Sequence, residues 1–393
     1  MDFRLTPEQE SFRAEARSWL RANVPSAERG TGPLPSLDTP EGFEAHRAWE
    51  RRMFEERWSV VSWPRSYGGR GAGLVEWLVF EEEYWDAGGP ARVGQNGIFL
   101  LGPAMMAFGT EEQRNRFLPA MASGEEIWCQ GWSEPGAGSD LASIRSVARP
   151  GDPEGTWVLN GLKTWCSRGA FADWLFGLFR TDPSAERHRG LTYFLVPLDA
   201  PGITVRPIAQ LDGEPGFAEV FFDEVEVPAS QVLGSVGRGW EVAMATAGSE
   251  RGLSLRSPGR FLAAARRLVA LYEQVALCDP ARAERCADAV ARAWIEAEAY
   301  RLATFATAAR VLDGATVGPE ASLSKLAWSG ADLAVHEAAI GLLGSSAELL
   351  GSDGTPDGWL GGFLFALAGP IYAGTNEIQR NVVAERVLGL PRG

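Results

Sequence analysis

The chain has 393 residues, of which 45% are hydrophobic; that is enough for two or three ordinary cores, since one core rarely grows past roughly 250 residues. Lysine and arginine total 37 against 51 acidic residues, a formal net charge of -14 at pH 7, and so acidic a surface repels phosphate backbones and anionic lipid heads, which argues against nucleic acid and membrane partners. Cys129, Cys166, Cys278 and Cys286 show no CxxC pairing and His46, His188 and His336 are scattered, so neither a disulfide framework nor a His/Cys metal site is expected, and reduced thiols in a cytoplasmic protein are.

The start, MDFRLTPEQESFRAEARSWL, has no basic region followed by an apolar one and reads as a capped helix instead. Thr6 is the N-cap, Pro7 takes the first helical position and Gln9 completes a capping box, with Phe12, Ala16, Trp19 and Leu20 on the apolar face. No run approaches the roughly 18 apolar residues of a membrane helix. Up to residue 125 the period stays helical, interrupted by Gly/Pro punctuation at RGTGPLPSLDTPEG and WPRSYGGRGAG. Thr110 and Gln113 offer a second capping box, whose helix is expected to stop near Pro119.

From 126 to 234 the texture changes to short runs rich in Val, Ile, Phe, Trp and Thr. In TWVLNGLKTW the pair Asn160-Gly161 separates two β-type runs as a hairpin turn would, and DWLFGLFRT, LTYFLVPL, ITVRPI and AEVFFDEVEVP read as further strands. A small barrel or sandwich is expected here. From 235 the helical period returns, predicting helices over 239–255, 260–277, 281–312, 321–350 and 376–388, a C-terminal bundle.

No GxxxxGK[ST] and no GxGxxG opening a helix is present. The stretch SEPGAGSD, residues 133–140, packs Pro135, Gly136 and Gly138 closely together. Either it is an ordinary Gly-rich turn, or it lets backbone N–H groups and the Ser133 and Ser139 hydroxyls approach a ligand. Read together, GTEEQRNRFLPAMASGE, WSEPGAGSDLAS, LNGLKTWCSRGAFADW, AEVFFDEVEVP and IYAGTNEIQRNVVAERVLG resemble segments of the acyl-CoA dehydrogenase family, in that family's order.

The resemblance implies an α+β fold with an N-terminal α-helical domain (1–125), a middle β-barrel domain (126–234) and a C-terminal four-helix-bundle domain (235–393). It implies FAD, with Trp132, Ser133, Trp165 and Ser167 lining the flavin ring and Thr375, Asn376 and Glu377 near its diphosphate or AMP. Trp165 is alternatively one of 15 tryptophans filling a core, and Glu377 a first-turn helix carboxylate. Ser139, Arg251 and Gly374 are placed beside the substrate.

The implied reaction oxidises an acyl-CoA to the trans-2-enoyl-CoA: a base takes the α proton and hydride leaves the β carbon for flavin N5. The site must stabilise the developing enolate and raise the basicity of its base. At the position where many relatives carry the catalytic Glu this chain has Ala373, which deletes a carboxylate yet keeps the backbone N–H that in the family polarises the thioester. Some members carry the base on the first C-terminal helix, in a Glu-Arg step, and Glu250-Arg251 in AMATAGSERGLSL falls at the matching place. The surroundings are poor in other charges, which favours an interior Glu250 over a solvated helix carboxylate. Glu134 and Asp140 are expected to shape the turn or bind backbone amides.

The family's Arg-x-x-Phe-Gly step after that helix is absent from LRSPGRFLAAARR, leaving Arg256 or Arg260 as substitutes on the adenine side. The expected partners are an acyl-CoA substrate and electron-transferring flavoprotein, in a homo-oligomer (dimer or tetramer) or a mixed tetramer. The alternatives are an oxidase using O₂ and a non-catalytic subunit, against which Glu250 argues.

Overall fold

The computed structural model describes residues 4–26, 34–152, 154–251, 257–315, 317–350 and 358–391, without the side chains of 249–251. Among the described residues five α-helices come first: α1 (Pro7–Asn23), α2 (Pro40–Glu55), α3 (Leu74–Asp86), α4 (Gly102–Phe108) and α5 (Glu111–Ser123). Both expected capping boxes form, Thr6 with Gln9 and Thr110 with Gln113. α5 does not stop at Pro119; it runs on to Ser123 and ends at the left-handed Gly124. A proline costs the helix one hydrogen bond and some strain, but Phe117, Leu118, Met121 and Ala122 around it are buried, and each large apolar side chain sealed from water returns about 1.5–3 kcal/mol.

Eight strands follow: β1 (Trp128–Gly131), β2 (Val147–Pro150), β3 (Thr156–Ser167), β4 (Trp174–Arg180), β5 (Leu191–Pro197), β6 (Ile203–Ile208), β7 (Phe217–Pro228) and β8 (Val232–Leu233). They form one sheet in the order β6-β7-β3-β2-β4-β5-β8, with β1 parallel to β4. Leu159, Leu175, Phe179, Phe194, Val220 and Val225 from four of these strands share one core. The Asn160-Gly161 pair is not a hairpin turn. β3 passes straight through it, and against β7 the register slips between Leu159 and Gly161. Gly161 has φ +144, and a Cβ there would lie 2.2 Å from Ser146 Oγ, so the glycine serves a bulge and a close approach rather than a turn. A second slip, between Lys163 and Cys166, surrounds Trp165 at φ +60.

The last region is helical: α6 (Gly239–Arg251), α7 (Pro258–Cys278), α8 (Pro280–Leu312), α9 (Ala321–Leu343), α10 (Gly358–Ala366) and α11 (Asn376–Val382). The helix expected over 321–350 ends earlier, at Leu343, where Gly344 is left-handed and a short 3-10 stretch follows. α10 was not anticipated, because GWLGGFLFA is apolar on every face and carries no helical period. The end of the helix expected over 239–255 lies outside the described residues.

In space the chain groups into two compact units, one of residues 1–24, 73–89 and 251–393, the other of 25–72 and 90–250. The first has a core of Ala265, Leu268, Ala293, Val335 and Leu342 from α7, α8 and α9. Within it α3 carries buried carboxylates: Glu83 takes a forked pair of bonds from Arg17, and Glu82 takes Arg13 at 2.8 Å and Arg301 at 2.6 Å. Charge at these helix positions is therefore matched, which is what permits its burial.

Candidate active site

In the β-containing unit the 133–140 stretch is a tight turn, closed by Glu134 N–H to Ala137 O at 3.0 Å and the reverse bond at 2.9 Å. The Glu134 carboxylate lies inside it and accepts from Arg145 N–H (2.6 Å), Ser146 N–H (2.9 Å) and Lys163 Nζ (2.7 Å). Burial pushes this carboxyl up, yet Lys163, the Arg145 amide and Ser146 together outweigh burial and leave it below its ordinary value of 4.5. Burial likewise pulls Lys163 down while Glu134 pulls it up. The three donors converging on one carboxylate keep Glu134 ionised. Glu134 thus binds backbone amides, and Asp140 pairs with Arg187 at 2.6 Å on the surface.

The same lysine joins this turn to β3, and Thr164 N–H adds a bond to Ser133 O at 2.9 Å. The segments holding Trp132–Ser133 and Trp165–Ser167 are thereby brought together. Trp132 is 9% exposed, meets Tyr193 edge-on at 6.4 Å, and its indole N–H finds no partner among the described residues. Trp165 is 59% exposed, so it does not fill a core; the bulge presents it outward with Phe217 against its edge. Ser167 offers its carbonyl to Asn96 at 3.5 Å. Ser139 is exposed, and a Cβ at Gly136 or Gly138 would meet nothing within 4 Å. A flat polar ring fits such a wall: an outward aromatic face, an orphaned buried donor and bare backbone.

α6 belongs to this unit as far as Glu250. Its buried positions are Gly239, Val242, Ala243, Thr246 and Ala247, and Thr246 Oγ1 stands 3.3 Å from the Tyr193 hydroxyl. Glu250 follows Thr246 by four residues, on the same helical line. Its side chain and that of Arg251 lie outside the described residues, as does Arg256.

In the other unit the 369–376 loop carries two consecutive left-handed residues, Ala373 at φ +58 and Gly374 at φ +78. Ala373 costs about 1 kcal/mol in that conformation, and its N–H donates to no acceptor among the described residues. Thr375 caps α11 by accepting from Ile378 N–H. The Asn376 side-chain oxygen is taken by Lys325 Nζ at 2.6 Å and Ser329 Oγ at 3.2 Å. Glu377 is exposed and faces Arg380 at 3.7 Å; its own backbone N–H, then the Thr375 hydroxyl, hold it below the usual carboxylate value. Arg260 binds Asp332 at 3.2 Å within its own unit.

Lys163, Lys325 and Gln379 were missed from the sequence as loop-holding residues. One signal was present: Lys163 and Lys325 are the only lysines of the chain.

The sequence profile of the acyl-CoA dehydrogenase N-terminal domain matches residues 6–125, that of the middle domain 129–225 and that of the C-terminal domain 237–388. Acyl-CoA dehydrogenase IpdE1 of Mycobacterium tuberculosis (strain ATCC 25618 / H37Rv) is 42% identical over 98% of both chains. Among solved structures, the Tcur3481-Tcur3483 steroid ACAD superposes with TM-score 0.84 at 28% identity, covering 100% of both chains. The ChsE4-ChsE5 complex from Mycobacterium tuberculosis does so with TM-score 0.83 at 28% identity, again over 100% of both. Three matching domains in order and a full-length relative place this chain in the acyl-CoA dehydrogenase family, whose enzymes depend on FAD.

Proposed function

We propose that the chain is a catalytically active acyl-CoA dehydrogenase that binds FAD and uses Glu250 to take the α proton of its substrate. The observation that supports this is the register of α6: Gly239, Ala243 and Thr246 form a buried line, position 250 follows Thr246 by four residues on that helix, and a base on a dry helix face gains strength. Trp132, Ser133, Trp165 and Ser167 would hold the flavin ring, and FAD, when bound, supplies the acceptor for the hydride released at the β carbon. The Ala373 N–H donates to the thioester oxygen, drawing charge off the α carbon as its C–H bond breaks. Glu250 accepts that proton, and the electron pair left behind forms the double bond. Ser139, Arg251 and Gly374 flank the CoA-bearing chain.

Without a carboxylate at 373 the loop carries less bulk, which suits a wide, ring-bearing acyl group. The steroid ACAD likeness supports the same class. Two of the solved relatives carry the names of two proteins, Tcur3481-Tcur3483 and the ChsE4-ChsE5 complex, which favours a mixed assembly for this chain as well. Arg260 is committed to Asp332, so the adenine end of FAD needs donors other than the missing Arg-x-x-Phe-Gly step. Electrons leave to electron-transferring flavoprotein.

The test is anaerobic bleaching of the flavin by a panel of straight, branched and ring-bearing acyl-CoA thioesters. Glu250→Gln should keep its flavin and lose at least about 10³-fold in the bleaching rate. Undiminished bleaching in that variant removes Glu250 from the role of base, and a wild-type protein bleached by no thioester is a non-catalytic subunit.

A further inference from the structure

All but two of the 37 basic residues are arginines, and the two lysines are both sealed from solvent, Lys163 at 0% and Lys325 at 1% exposure. An ammonium is a compact charge whose three donors turn toward separate acceptors, whereas a guanidinium is a wide planar fork. Lys163 uses that property to close the 133–140 turn through Glu134. Lys325, on α9, does the corresponding thing elsewhere: its Nζ donates to Gly369 O at 2.8 Å and to Asn376 Oδ1 at 2.6 Å. These two residues are the opposite ends of the loop that carries Ala373.

The middle of that loop is held as well. Gln379, fully buried, donates to Ala373 O and Gly374 O, each at 3.3 Å, and the Tyr372 ring stacks on Trp328 at 5.6 Å and 27°. Ser329 Oγ, one turn along α9 from Lys325, shares Asn376 Oδ1 at 3.2 Å. A left-handed alanine persists only where its surroundings over-determine it. If the loop ends were released, Ala373 would relax and the direction of its N–H would change.

We infer that Lys325 is the positioning residue of the thioester-polarising N–H: it ties both ends of the loop and so fixes where the 373 donor points. This rests on the role proposed above for Ala373. Lys325 touches no reacting atom. Its effect belongs to the enolate-like state, in which the oxygen draws harder on the N–H than the neutral carbonyl does. Substrate affinity should therefore change little while proton abstraction suffers.

The experiment uses the FAD-loaded protein and a 3-thia acyl-CoA built on the panel member that bleaches the flavin. Sulfur at the β position cannot release hydride, so the reaction stops at α-proton removal, and a pH titration of the enolate absorbance reports how strongly the bound thioester is acidified. Lys325→Met should weaken that acidification about tenfold, the scale of a misdirected rather than deleted donor, with flavin content and analogue affinity retained. Lys325→Arg, whose planar guanidinium cannot turn separate donors toward Gly369 O and Asn376 Oδ1, should do the same. Wild-type acidification in either folded variant overturns the inference. If Lys325→Met does not fold, Lys325→Arg, which keeps the buried charge, carries the same prediction, and unchanged acidification there is equally decisive. A wild-type protein that fails to acidify the analogue at all overturns the reading of Ala373, and this inference with it.

Discussion

Trp165 concentrates the site question in one side chain. A tryptophan 59% exposed on a left-handed bulge contributes little to the fold, because the surface it leaves in water is not stabilising. Trp165→Ala should accordingly leave the thermal unfolding of the apoprotein unchanged while weakening FAD binding about tenfold, the worth of one aromatic stacking contact, as read by flavin fluorescence titration. Glu134 behaves in the opposite way. Its folded pKa is depressed, so its share of stability is fully present above its ordinary value of 4.5 and is lost as pH falls through the folded value. Glu134→Gln leaves Lys163 charged and unpaired inside the protein and should cost about 3 kcal/mol at neutral pH. Denaturant titrations at neutral pH and near pH 3 check this: the gap between variant and wild type should shrink at the acid end, and a constant gap would contradict the assignment.

At the scale of elements, β3 decides most of the site. Its two register slips against β7 put Gly161 against Ser146 and turn Trp165 outward. Gly161→Ala forces a side chain into a left-handed φ and within 2.2 Å of Ser146 Oγ, and should cost about 3 kcal/mol in urea unfolding. A loss below about 0.5 kcal/mol would mean the bulge relaxes freely. The helices were legible wherever caps and period agreed, as in α1 and α8. α10 was not, since an all-apolar nonapeptide has no period to read. The Asn160-Gly161 pair misled because the dipeptide that suits a two-residue turn also suits a bulge, and which one forms depends on the strand lying opposite.

For the whole molecule, the paired proteins named among its solved relatives lead to a prediction about mass. Native mass spectrometry of the chain co-expressed with a homologous acyl-CoA dehydrogenase subunit should find a mixed complex carrying FAD, and the chain expressed alone should carry less flavin per subunit. A fully flavinylated homo-oligomer of the chain alone would refute the mixed assembly. The formal charge of -14 bears on solubility and on partner sign rather than on the fold.

The sequence by itself determined the succession of helical, β and helical regions, because periodicity and capping are local and survive without neighbours. It also determined which motif residues are candidates, Glu250 and Ala373 among them, because their chemistry is written in residue type and order. Only the tertiary structure decided which partner each one meets within its own unit: Trp132 beside Tyr193, Thr164 bonded to Ser133, and Asn376 held by a lysine some fifty residues earlier on α9. Those relations come from strand register and helix packing, where partners distant in sequence choose one another by burial and hydrogen-bond geometry. The same reason explains the lysines: their scarcity is visible in the chain, but what each one holds exists only once α9 lies against the loop and β3 against the turn.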